Sequence, residues 1–146
     1  MPAQILPIDV ALTGHQALVL DTCVLIDGFR GHDVGPLPRI PLGTIPRRQR
    51  VTSVVALWEF LHGAAGAVLS AAEQLDRQQW LRDQGIGVSD FDKRSSKSLR
   101  SLVRVHAGPP SAVDCMLAAF SVAHGLPFFT ANVRHFAQVP GLRLVG

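Results

Sequence analysis

The sequence predicts an α/β domain with a parallel sheet covered by helices on both faces. Three observations predict it. Residues 17–20 (ALVL) are a short continuous apolar run, the pattern of a strand buried on both faces. Four further strand-like runs follow, separated by stretches with helix start and stop signals. The chain has 146 residues, 47% of them hydrophobic and only 17% charged, against a usual charged share of about 25%. That length and composition suit one well-buried domain and exclude intrinsic disorder.

The elements are expected in this order. Residues 1–16 read as an irregular arm, and 17–146 as the single domain. After the first strand, 23–29 read as a helix. Residues 31–50 are a loop, because Pro36, Pro38, Pro41 and Pro46 leave no room for a long helix. A second strand spans 50–53, and Ser53 caps a helix running to about Ala65. Residues 70–83 form a helix stopped by Gly85. The third strand is 87–90. A helix over 93–106 ends at Gly108-Pro109-Pro110. Ser111 opens a helix running to His124, stopped by Gly125. The fourth and fifth strands are 127–130 (PFFT) and 142–145 (LRLV).

Charge is scarce, and three acids lie where charge is least expected. The balance is 14 Lys and Arg against 11 Asp and Glu, a net +3. The basic pI favours polyanionic partners only weakly. Asp21 ends the first apolar run, Glu59 lies among Leu57, Trp58, Phe60 and Leu61, and Asp114 lies in Ser111-Ala-Val-Asp114. Each admits two readings. Asp21 can cap the helix after it, or stand at the carboxyl edge of the sheet, where ligands bind in such folds. Glu59 can pair with an arginine or hold a metal, since a buried carboxylate needs a partner. Asp114 can complete a capping box. Taken together, the acids open three helices that share one sheet edge. Converging carboxylates repel unless a cation intervenes, and oxygen-only ligands suit Mg²⁺ or Mn²⁺. Such an ion is suited to phosphodiester hydrolysis.

Cys23 and Cys115 read as two buried thiols of a reducing compartment. No signal peptide is expected, because the first residues lack a basic stretch and an apolar stretch, so a cytoplasmic location is expected. Residues 54–72 are almost wholly apolar, but Glu59 and His62 interrupt them, so a buried helix is expected and no membrane span. Lys93, Lys97, Arg100 and Arg104 share one helix face, and Leu99, Leu102, Val103 and His106 are expected on the opposite, core-facing side. That face, and the cluster Arg47, Arg48 and Arg50, are either ordinary solvated charge or phosphate-tracking sites for RNA. Trp58 and Phe60 are expected in the core rather than as base-stacking platforms, and His62 as a partly buried structural histidine.

The motifs have a family resemblance. Leu18-Val-Leu-Asp21-Thr22-Cys-Val-Leu-Ile-Asp27 resembles the opening motif of PIN-domain ribonucleases. Ser53-Val-Val-Ala-Leu-Trp-Glu59-Phe-Leu-His-Gly63 is similar to the second motif, and Ser111-Ala-Val-Asp114-Cys-Met-Leu-Ala-Ala119 to the third. Phe129-Thr130-Ala-Asn132-Val-Arg-His135-Phe136, then Gly141-Leu-Arg-Leu-Val145, resembles the closing segment. The small size most resembles VapC-type toxins of toxin–antitoxin pairs.

The resemblance implies a three-layer α/β/α sandwich with a five-stranded parallel sheet. It implies cleavage of RNA dependent on Mg²⁺ or Mn²⁺, a homodimer, and a small antitoxin partner. Asp21, Glu59 and Asp114 would be the metal-site acids, with Thr130 lining the site and Asn132 assisting in orientation. The chain departs from the pattern at Asn132, where the family often has a fourth acid, and at His135, where aspartate is also frequent. Its Pro-rich stretch from Gly35 to Pro46 is also unusual. Two other readings therefore stand beside the toxin: a PIN-fold RNA-processing nuclease without an antitoxin, and a catalytically inactive protein that binds RNA or a partner.

Overall fold

The computed structural model describes residues 2–63, 68–105 and 111–146. Six strands form one wholly parallel sheet: β1 (Gln4–Leu6), β2 (Leu18–Leu20), β3 (Arg50–Ser53), β4 (Gly87–Ser89), β5 (Phe128–Phe129) and β6 (Arg143–Val145). Their spatial order is β1-β6-β5-β2-β3-β4. Among the described residues, seven α-helices connect or flank them: α1 (Ile8–Thr13), α2 (Thr22–Phe29), α3 (Val54–His62), α4 (Ala71–Asp83), α5 (Lys93–Val105), α6 (Ala112–His124) and α7 (Val133–Phe136). The helix end expected at Ala65, His106 and the Gly108-Pro109-Pro110 stop lie outside the described residues.

The five expected strands are present, and a sixth comes from the N-terminal residues. Gln4 pairs with Arg143 and Leu6 with Val145, so β1 extends the sheet beyond β6. The segment expected to be an irregular arm is therefore a strand and a helix. It is tied down by Gln49, whose buried side-chain amide donates to the carbonyls of Ala11 and Gln16 at 2.9 and 2.8 Å.

The core lies between the sheet and the helices. Leu18, Val19, Leu20, Phe128, Phe129 and Leu144 are fully buried, as central parallel strands require. On α3, Ala56 and Phe60 turn inward one helical turn apart. Trp80 of α4 and Phe29 of α2 pack edge-on, with ring centroids 5.8 Å apart. The caps follow the sequence signals. Ser53 accepts from the N–H groups of Val55 and Ala56, Ser70 from Glu73, and Ser111 from Asp114. The expected core positions Trp58 and Val103 are instead exposed, at 61% and 67%. Trp58 stands two residues from both Ala56 and Phe60, about 200° around the helix, which puts it on the outer face. His62 is exposed beside it and stacks on its ring at 4.4 Å.

The Pro-rich stretch is an ordered loop, with an antiparallel bridge between Val34 and Ile40. Gly35 within it has φ +87°, and a Cβ there would lie 2.1 Å from Cζ of buried Phe129. Replacing Gly35 with Ala adds both backbone strain and a clash with the central strand. The expected cost is about 3 kcal/mol, read as a lower midpoint in chemical denaturation.

Candidate active site

The strand order reverses around β2. From β2 the chain builds outward through β3 and β4, then returns to place β5 on the other side of β2. The carboxyl ends of β2 and β5 therefore form the switch point where open parallel sheets bind ligands. Asp21 follows β2 and Thr130 follows β5, and the two meet there: the Thr130 hydroxyl donates to Asp21 Oδ2 at 2.7 Å.

Asp21 is 4% exposed. Asp21 stands at the carboxyl edge of the sheet and also caps α2, because its other oxygen accepts from the Thr22 N–H at 2.7 Å. Burial pushes its carboxyl above the ordinary range, opposed by the bonds from Thr130 and Thr22 and reinforced by the nearby charge of Asp114. Cys23, half-buried rather than buried, lies 3.5 Å from Asp21 Oδ2. Burial, then the charge of Asp21, pushes its thiol up to about 12, so it keeps its proton and donates to the carboxylate.

Glu59 reaches the site through the residue after Asp21. The Thr22 hydroxyl donates to Glu59 Oε1 at 2.6 Å. Glu59 is half-buried rather than buried, and its partner is this neutral hydroxyl rather than an arginine. Asp114, in the first turn of α6, accepts from the Ser111 hydroxyl at 3.2 Å. Its Oδ2 also lies 2.8 Å from His135 Nε2. Asn132 donates its backbone N–H to Thr130 Oγ1 at 3.0 Å and exposes its side chain.

The donor set fits a hard divalent cation in kind. It consists of carboxylate oxygens, one of them desolvated at a polar sheet edge beside a like charge that a cation would relieve. Each acid is held by a hydroxyl or an imidazole in the positions described. Among the described residues, no three Asp, Glu, His or Cys side chains close on a single point. Thr22 and His135 are the holding groups that the sequence reading left without a role, whereas Ser111 is the expected cap that pairs with Asp114.

The basic candidates separate by location. Arg50 is buried, and its guanidinium donates to the carbonyls of Ile45, Gln84 and Leu42. It is a structural group rather than part of an RNA surface. Arg47 and Arg48 are exposed, but they precede β3 at the amino edge of the sheet, opposite Asp21. Lys93, Lys97, Arg100 and Arg104 are exposed along α5. Asp92, at the start of α5, lies 2.9 Å from His124 at the end of α6. The two helices pack together, so the Arg100–Arg104 end of α5 comes toward the end of α6 that carries Asp114. No helix among the described residues is long and apolar enough to cross a membrane.

Comparison with known proteins places this geometry in a family. The chain resembles VapBC2 from Rickettsia felis, solved bound to a DNA fragment from its promoter, with TM-score 0.69 and 17% identity over 88% of this chain and 97% of that one. It resembles DNA-bound VapBC from Salmonella typhimurium with TM-score 0.61 and 22% identity, over 88% and 96%. It resembles FitAcB from Neisseria gonorrhoeae with TM-score 0.62 and 17% identity, over 88% and 96%. No curated protein matches the chain. The family model for the PIN domain matches residues 18–142, a span that begins in β2 and takes in Asp21, Glu59, Asp114 and Asn132, and the chain therefore belongs to the PIN-domain family.

Proposed function

We propose that the protein is a metal-dependent endoribonuclease, the toxin of a toxin–antitoxin pair. The observation that carries this reading is a buried Asp21 at the switch point, linked to Glu59 through Thr22 and within electrostatic reach of Asp114. The fold shared with toxin–antitoxin proteins supports it.

Asp21, Glu59 and Asp114 would hold Mg²⁺ or Mn²⁺. When bound, such an ion supplies a water of lowered pKa and neutralises charge on the phosphate. Thr130 and Thr22 fix Asp21 and Glu59 by hydrogen bonds, and Ser111 and His135 fix Asp114. The exposed Asn132 amide orients a water or a phosphate oxygen, and Thr130 holds Asn132 by its backbone. The exposed cations of α5, Arg100 and Arg104 above all, track the RNA backbone. A small antitoxin protein covers the acidic edge, the protein acts as a homodimer, and it works in the cytoplasm.

A second reading has its own observation. Asn132 stands where a fourth acid is frequent, and no three ligating side chains converge among the described residues. Both favour a protein that binds RNA or a partner without cutting. Purified wild type incubated with several structured RNAs separates the two. Cleavage with Mg²⁺ or Mn²⁺ that stops in EDTA is expected. Intact RNA from folded protein would sink the nuclease reading. A small upstream open reading frame whose product restores growth would establish the antitoxin and exclude a solitary processing nuclease.

A further inference from the structure

We propose that the cavity beside the acids is the subsite for a nucleotide flanking the cleaved phosphate of single-stranded RNA, with Arg134 as its phosphate-binding group. The proposal rests on the nuclease reading and adds the residues that would seat the strand.

The cavity measures about 660 Å³, within the ~300–1,000 Å³ of small-molecule sites. Its apolar walls come from three separate segments: Ile5 of β1, Leu37 of the Pro-rich loop and Val133 of α7. Ile5 and Leu37 are 52% and 85% exposed, so large apolar side chains face solvent there. Its polar side is Asn132, Arg134 and His135. Two of these connect to the acids, one directly and one through Thr130. His135 lies against Asp114, and Asn132 bonds Thr130, which bonds Asp21.

Arg134 decides the kind of ligand. In a chain short of charge, its guanidinium makes no ion pair or hydrogen bond among the described residues, although Asp114 is held by the neighbouring His135. It lines the cavity rather than neutralising the acid cluster. A phosphate matches that fork in charge and shape. The Asn132 side chain likewise makes no hydrogen bond among the described residues, and its amide offers a donor and an acceptor to a base edge. The apolar walls suit the flat face of a base. A hydrophobic peptide would use Ile5 and Leu37 but would leave both polar groups unanswered, so charge complementarity favours the nucleotide.

The test uses fluorescence anisotropy of a labelled single-stranded oligoribonucleotide with full-length Asp21→Asn protein, in which turnover is removed. Arg134→Ala is expected to weaken binding about tenfold or more, with the salt slope reduced by about one. Leu37→Glu changes an exposed side chain, so the fold is kept, and it is expected to weaken binding by a similar factor. Ligand-observed NMR with AMP and UMP should detect binding to wild type that Leu37→Glu removes. Unchanged RNA affinity in both variants would overturn the proposal. So would a Leu37→Glu effect confined to oligomeric state or to capture of a protein partner. If wild type cleaves RNA and both variants cleave with unchanged KM, the subsite fails and the nuclease reading stands. If wild type binds RNA through these residues without cutting it, the subsite stands and the nuclease reading fails.

Discussion

Asp21→Asn is expected to lower RNA cleavage at least about a hundredfold while raising thermal stability at pH above the folded titration of Asp21. The first effect follows from losing a ligand carboxylate. Even groups that only orient metal ligands change affinity or activity by about 10–100-fold. The second follows from burial. Asp21 titrates above the ordinary carboxylate value of 3.8 in the folded chain, mainly because burial disfavours its charge. The folded state therefore holds this proton more tightly than the unfolded state does. The stability so gained is fully present below about pH 3.8 and is lost as the pH rises through the elevated folded value. Above that folded value the wild type carries the desolvated charge, and asparagine removes it while its side-chain oxygen can still accept from Thr22. The gain in unfolding temperature should shrink toward acid pH. Comparing variant with wild type cancels opposing groups such as Asp92, whose carboxyl is held down to about 2 mainly by the Ser95 backbone N–H and hydroxyl. Mg²⁺ should stabilise wild type and not the variant. Equal cleavage by the two proteins would remove Asp21 from the site.

Arg50→Met is expected to cost about 3–4 kcal/mol of stability, because it strands buried carbonyls that a charged donor had satisfied. The guanidinium reaches Ile45 O at 2.9 Å and Gln84 O at 2.7 Å, and so ties the loop before β3 to the end of α4. Urea denaturation reads the loss. RNA affinity, measured where the variant remains folded, should match wild type. A tenfold weaker affinity with unchanged stability would restore Arg50 to an RNA surface.

These two residues also mark how far the sequence could be read. Asp21 was legible because three independent constraints coincide there: a fully apolar strand before it, a helix after it and a place at the sheet's carboxyl edge. Arg50 was misread because Arg47, Arg48 and Arg50 form one basic cluster in sequence, while the start of β3 turns Arg50 alone inward. The same limit applies to α3. Its residues are apolar nearly all round, so composition could not say which face is buried. Ala56 and Phe60 set the phase, leaving Trp58 and His62 outside. β1 carried almost no signal. It is three residues long, lies between Pro2 and Pro7, and is an edge strand with two exposed positions. The contacts holding the acids were out of reach for another reason. His135 meets Asp114 across 21 residues and Thr130 meets Asp21 across 109, separations no local pattern encodes.

The pairing of β1 with β6 has a kinetic consequence. Gln4 and Arg143 are neighbours in the sheet, so bringing them together closes a loop of nearly the whole chain. Loop-closure entropy makes such a contact slow to form, and it becomes favourable only after the intervening strands have assembled. The β1 edge, with Ile5 upon it, is therefore the last part of the sheet to zip. Being exposed and short, it is also the first to fray. Amide hydrogens there should exchange through local opening, well before those of β2 and β5.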